Sequence, residues 1–149
     1  MPELAEVEYY RKQWQPAISQ SITAVYLNAS KRVFRCVDSK ALKSDLVGEA
    51  FTGSATHGKQ MCFRFGTKHW LGVHLGMTGK THILAPSERP QRHDHLVLQM
   101  SSGISLAFTD PRMFGRILYS NTNKKPSWWA MLPPEILSTD FTLEYFSRF

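Results

Sequence analysis

The chain has 149 residues, with 18 Lys and Arg against 12 Asp and Glu, for a formal charge of +6. That length is one domain's worth, enough to bury a core without metal or disulfide support, and the two cysteines, Cys36 and Cys62, show neither C-x-x-C nor Cys/His zinc spacing. With no apolar run of membrane-spanning length and no basic-then-apolar leader at its start, the chain is expected to be soluble and intracellular, and its charge suits a polyanionic partner.

Leu4, Val7, Trp14 and Ile18 fall on approximately helical spacing and Pro16 ends or bends the segment, so residues 3–15 are predicted as an amphipathic helix. Pro2 and Glu3 sit at its start, and two readings stand there. Proline in a first turn, with Glu3, Glu6 and Glu8 facing the positive end of the dipole, is ordinary helix-start chemistry. If Met1 is removed, however, Pro2 becomes a secondary amine beside a carboxylic acid. An α-amino group titrates near about 8 against about 10.4 for lysine, so part of it is nucleophilic at neutral pH. The iminium it forms is an electron sink, with Glu3 and Glu6 available to move protons.

From Ile22 the pattern changes to short β-rich runs at 22–27, 61–65, 70–74, 80–84, 96–100, 104–108 and 116–119. Gly66-Thr67 and Ser101-Ser102-Gly103 are predicted hairpin connections, and the even spacing of runs and turns favours an antiparallel sandwich or barrel over βαβ units. Residues 85–93 read as an exposed loop. Cys36 and Cys62 each lie in an apolar stretch and are predicted as reduced core thiols. His93 and His95 share a strand face but have no third ligand, so they read as a hydrogen-bonding element. Past Lys124 the composition shifts to prolines around Trp128 and Trp129, a pair predicted to pack this tail against the sandwich, followed by a helical-looking 143–149.

Four separated motifs then have to be taken together: Pro2-Glu3-Leu4-Ala5-Glu6-Val7-Glu8, His74-Leu75-Gly76-Met77-Thr78-Gly79, His93-Asp94-His95 and Thr109-Asp110-Pro111-Arg112-Met113-Phe114-Gly115. In this order the chain resembles the formamidopyrimidine-DNA glycosylase/endonuclease VIII family, and the likeness extends through Leu132-Pro133-Pro134-Glu135 and Leu137-Ser138. The resemblance implies a mainly β protein: a two-layer antiparallel β-sandwich with an N-terminal α-helix carrying the nucleophile, and short flanking helices. Residues 1–135 would be the catalytic domain and 136–149 a connector toward a helix–two-turn–helix domain. Neither that domain nor the zinc finger usual in the family lies in the sequence, so no cofactor and no metal are expected here, and a fragment is favoured over a naturally reduced relative. The usual second proline of the N-terminal motif is Ala5 here, which loosens the helix start and leaves nucleophile and acid in place.

The implied function is base-excision repair by a bifunctional glycosylase and apurinic-site lyase, in the 8-oxoguanine-processing branch. The alternative is a weak or inactive damaged-DNA-binding module. By resemblance, the Pro2 amine attacks C1′ of the lesion and Glu3 is the general acid/base, while Glu6 is either catalytic or a dipole and capping group. Met77, Arg112 and Phe114 fill the void left by the extruded base, as a flexible thioether, a guanidinium and an aromatic wedge are suited to do. Lys59 and His74 bind phosphate. The expected partner is double-stranded DNA with damaged bases or apurinic sites, with no membrane; a monomer is expected, in the cytoplasm at a bacterial nucleoid or in a eukaryotic nucleus.

Overall fold

The structure, a computed structural model, describes residues 3–130; Met1, Pro2 and the predicted connector at 136–149 lie outside the described residues. Helix α1, Leu4–Gln13, begins where the extended backbone of Glu3 turns its carbonyl to accept from the amides of Glu6 and Val7, 2.9 and 3.0 Å away. It is shorter than the predicted 3–15 because Pro16 belongs to a separate 3₁₀ turn, Gln15–Ala17. Its apolar stripe is narrower than the spacing implied. Val7 and Trp14 are fully buried, whereas Leu4 is 53% exposed.

Two four-stranded antiparallel sheets follow. One has the order β1 (Ile22–Leu27), β6 (Asp94–Met100), β7 (Ser105–Thr109), β5 (Lys80–Leu84); the other runs β2 (Phe51–His57), β3 (Gln60–Phe65), β4 (His69–His74), β8 (Arg116–Asn121). Seven of these strands match the predicted runs to within two residues at each end. The eighth, β2, was not predicted. Its sequence, Phe-Thr-Gly-Ser-Ala-Thr-His, has too little apolar alternation to read as a strand, and it forms because it pairs along β3 from the turn at Gly58-Lys59, where Gly58 takes φ 59°. Helix α2, Ser39–Asp45, was also missed. Leu42 is its only buried residue, and its start is fixed by the Asp38 carboxylate accepting from the Ala41 amide.

Trp14 joins the layers. Its ring lies 4.5 Å from that of Phe63 in one sheet, while its indole N–H donates to the carbonyls of His82 and Ala107 in the other. The polar end of a large apolar side chain is thereby satisfied in the centre of the core. Around it pack Phe51, Phe65, Leu71, Leu96, Leu98 and Phe108, all closed to solvent.

The outer face of the second sheet is covered too. Trp129, in the short helix α3 (Ser127–Ala130), lies in a cluster with Cys62 and Trp70, and the Trp128 indole donates to the Ser120 hydroxyl at 2.9 Å. The two tryptophans pack this segment on the sandwich as expected. Burial pushes the Cys62 thiol up to about 12, which disfavours the reactive thiolate. Cys36, by contrast, is exposed, correcting the core assignment: the tight turn at Arg32–Phe34 buries Val33 and Phe34 and turns Cys36 outward. No helix among the described residues is long and apolar enough to cross a membrane.

The corner where α2 meets β8 is held by polar groups. Tyr119 donates its hydroxyl to Asp45 at 3.0 Å and is 2.8 Å from Nδ1 of His69, whose Nε2 lies 3.3 Å from Glu49. Burial, and then the Asp45 hydrogen bond and charge, push the Tyr119 phenol above its ordinary value. The folded state thus holds this proton more tightly than the unfolded chain does. The stabilisation is present in full below about pH 10 and fades as pH rises beyond it. Tyr119→Phe is expected to lower unfolding free energy by about 1–2 kcal/mol near neutral pH. Urea denaturation would also show a smaller variant-to-parent difference at high pH than at pH 7.

Candidate active site and nucleic-acid interface

Asp110 organises one end of the sandwich. It sits in the 110–115 loop between β7 and β8 with no exposed surface, its Oδ1 accepting from the Thr78 hydroxyl at 2.6 Å and its Oδ2 from the Gly115 amide at 2.8 Å. Its backbone is bound as well: the amide donates to the carbonyl of His93, and the carbonyl accepts from the Met113 amide and from Nε2 of His95. The His93/His95 pair therefore serves as the hydrogen-bonding element predicted for it. Since a carbonyl only accepts, the His95 ring carries a proton on Nε2. Thr78 in turn accepts from the Arg112 amide at 3.2 Å.

The 75–79 and 110–115 loops therefore lie back to back. A Cβ on Gly76, which takes φ +61°, would fall 2.4 Å from the Gly115 nitrogen, and one on Gly115 would fall 2.4 Å from the His74 carbonyl oxygen. Only glycine fits at either position. Met113 adopts a positive φ of 54° and packs its side chain against the core, which turns its neighbours Arg112 and Phe114 outward. Met77, 49% exposed, and Phe114, 42% exposed, are thus displayed from joined loops, with the Arg112 guanidinium 4.9 Å from the Phe114 ring centre. The outward display of apolar groups on a braced backbone was not legible from spacing alone.

His74 ends β4 beside this rim. Its Nδ1 accepts from the Gly76 amide at 3.1 Å, which leaves the ring proton on Nε2. Burial lowers its pKa, and the charges of Arg116, Lys59 and Arg35 lower it further. The ring is accordingly neutral at pH 7 and can donate from Nε2. Lys59 lies in the β2–β3 turn and is half-buried. Arg35 and Arg116 were not singled out in the sequence. Arg116 starts β8 and is brought to His74 by the sheet pairing, whereas Arg35, just after the Arg32–Phe34 turn, is placed by its bond to the Gly115 carbonyl.

Glu3 and Glu6 are both exposed at the start of α1, and Glu3 makes no side-chain cap hydrogen bond. Arg11 donates to the Ser54 hydroxyl and the Thr56 hydroxyl to Glu8, so the helix runs opposite to β2 and its start lies toward the His57 end of that strand. Through Gln60, which pairs with both His57 and His74, that is the end of the sheet from which the Met77 loop leaves. Pro2 lies outside the described residues. No group of three or more His, Cys, Asp or Glu among the described residues is placed to hold a metal.

A β-sandwich with a helix start, a braced pair of loops and a basic edge at one end defines the class of this domain. The chain belongs to the formamidopyrimidine-DNA glycosylase family: residues 1–117 match the model of the Formamidopyrimidine-DNA glycosylase N-terminal domain. It is 36% identical over 150 residues to the formamidopyrimidine-DNA glycosylase of Legionella pneumophila strain Philadelphia 1, an alignment spanning 99% of this chain and 54% of that protein. With the formamidopyrimidine-DNA glycosylase of Teredinibacter turnerae it shares 38% identity over 149 residues, 97% of this chain and 53% of the relative. It therefore spans about half the length of the curated relatives it matches. Among solved structures, MutM in complex with carbocyclic 8-oxo-G containing DNA superposes with a TM-score of 0.73 at 30% identity, covering 82% of this chain and 45% of that one. The complex of Lactococcus lactis Fpg with abasic-site DNA gives 0.73 at 27% identity, with coverages of 82% and 45%.

The loop brace makes a direct prediction. Thr78→Val keeps the shape at that position but leaves Oδ1 of buried Asp110 and the Arg112 amide without their partner. Unfolding free energy should fall by about 1–3 kcal/mol. Amide exchange should rise at Arg112 and at Gly115 together, and a rise at only one of them would show that the loops are not coupled.

Proposed function

We propose that this domain is the catalytic half of a DNA glycosylase and apurinic-site lyase that removes oxidised purines. The observation that carries the reading is the pairing of the Met77 and Arg112/Phe114 loops through Asp110, because a wedge that enters a base stack must be rigid behind and apolar in front. The relatives' names, and the lesion-containing and abasic DNA in the solved neighbours, support the substrate class.

In this mechanism the Pro2 amine attacks C1′ of the damaged nucleotide and the base departs. The resulting iminium acidifies the sugar protons, so that β and then δ elimination cut the strand on both sides. Glu3 moves the protons, and Glu6 complements the helix dipole or assists it. Met77 and Phe114 occupy the vacated space, and Arg112 hydrogen-bonds the orphaned partner base, which favours cytosine opposite the lesion. Lys59 and the Nε2–H of His74 hold backbone phosphate. All of this needs a free Pro2. With Met1 attached, the Pro2 nitrogen is a tertiary amide whose lone pair is delocalised, and it cannot attack.

Borohydride treatment with an abasic duplex tests the covalent step. The form starting at Pro2 should give a stable protein–DNA adduct mapped by mass spectrometry to residue 2, and the form retaining Met1 should give none. Pro2→Gly is expected to weaken trapping, and Glu3→Gln to slow base removal by about 10²-fold or more while affecting a preformed abasic site less. An adduct on Lys59 with Pro2 unmodified would reassign the nucleophile. Tight lesion binding without any adduct would instead favour a damaged-DNA-binding module.

A further inference from the structure

One row of basic groups is larger than a single phosphate contact requires. His74 on β4 pairs directly with Arg116 on β8 and with Gln60 on β3, next to Lys59 in the β2–β3 turn. Arg35 stands beyond β8, its guanidinium donating to the carbonyls of Arg32 and Gly115, each at 2.9 Å. Four elements thus contribute Lys59, His74, Arg116 and Arg35 to the same end of the sheet. None of the four is in an ion pair with a carboxylate among the described residues. Nε of Arg116 is buried without a hydrogen-bond partner, so this guanidinium is only partly satisfied by the protein.

An unneutralised row of this kind is costly unless it meets an anion. Strand spacing gives its length: from β3 through β4 to β8 is about 10 Å. Adjacent phosphates of one DNA strand stand farther apart than their axial rise of about 3.4 Å, because the backbone winds round the helix, and two of them still fit within that span. Lys59 and His74 therefore do not exhaust it.

We propose that Arg116, flanked by Arg35, forms a second phosphate-binding subsite next to Lys59 and His74, so that this edge holds successive phosphates of one DNA strand. The inference rests on the DNA-binding reading above. Arg35 has a further consequence, because its bond to the Gly115 carbonyl ties the phosphate row to the end of the wedge loop. Engagement of the backbone and placement of Arg112 and Phe114 are then parts of one rigid unit.

Fluorescence anisotropy with a duplex carrying a tetrahydrofuran abasic analogue, titrated at several salt concentrations, tests it. Arg116→Gln should weaken binding and make the plot of log K against log salt shallower by about 0.9, as should Lys59→Gln, while Arg116→Lys keeps the slope. Arg89→Gln, in the exposed 85–93 loop, gives the reference for losing a charge elsewhere. If Lys59→Gln flattens the slope but Arg116→Gln matches Arg89→Gln, the second subsite is wrong and the DNA-binding reading stands. If neither departs from Arg89→Gln, the reading of this edge as a DNA-binding face fails with it. Replacing single phosphates by neutral methylphosphonates decides the matter on the unsubstituted protein. Sensitivity at two successive positions supports the subsite, and sensitivity at one alone overturns it.

Discussion

The functional end of this domain depends on one buried carboxylate. Asp110 has no exposed surface, and an anion there would be prohibitively costly were its oxygens not filled by a hydroxyl and a backbone amide from two different loops. Because the partners come from different loops, the requirement to satisfy one charge becomes a requirement that the loops move together. Gly76 and Gly115 permit the close approach that this imposes, since either Cβ would collide with backbone. Rigidity thus originates in the desolvation cost of a charge. Exposed Met77 and Phe114 can then point into solvent without their backbone collapsing to bury them.

The core and the rim are connected through strands rather than through a separate scaffold. One of the two carbonyls that anchor the Trp14 indole belongs to His82 in β5, whose start continues the Met77 loop, and β8 begins immediately after Gly115. Packing in the sandwich therefore fixes where both loops emerge. The same arrangement sets the chemistry of His74. A ring whose protonation is disfavoured by burial and by three neighbouring cations, with Nδ1 occupied by the Gly76 amide, is set to donate from Nε2.

What was legible in the sequence follows from the range of the interactions involved. Strands such as Ile22–Leu27 and Lys80–Leu84 carry their own apolar pattern, and the predicted bounds coincide with the observed ones. β2 and α2 carry little pattern because partners stabilise them: β3 pairs with the first, and the second is held by Leu42, Leu46 and the Asp38 cap. Cys36 was misplaced for a related reason. Hydropathy alone does not say which residue of a tight turn faces in, and here the turn spends its apolar contacts on Val33 and Phe34.

The site divides along the same line. Glu3, His74, Met77, Arg112 and Phe114 were reached through contiguous motifs, which sequence order displays directly, and Lys59 by resemblance alone. Asp110 lay within one of those motifs but carried no expected role, since its bond to Thr78 spans 32 positions. Arg35 and Arg116 stand 81 positions apart; the pairing of β4 with β8 brings Arg116 to His74, and the bond to the Gly115 carbonyl brings Arg35 there. A recognisable motif thus identifies groups that need a fixed local backbone. Groups that act by charge need only to arrive at the same place, and their arrival is written in the strand register rather than in any one segment. In this domain the register that pairs His74 with Arg116 also sets where the 110–115 loop ends, so the basic row and the display of Arg112 and Phe114 share a single structural cause.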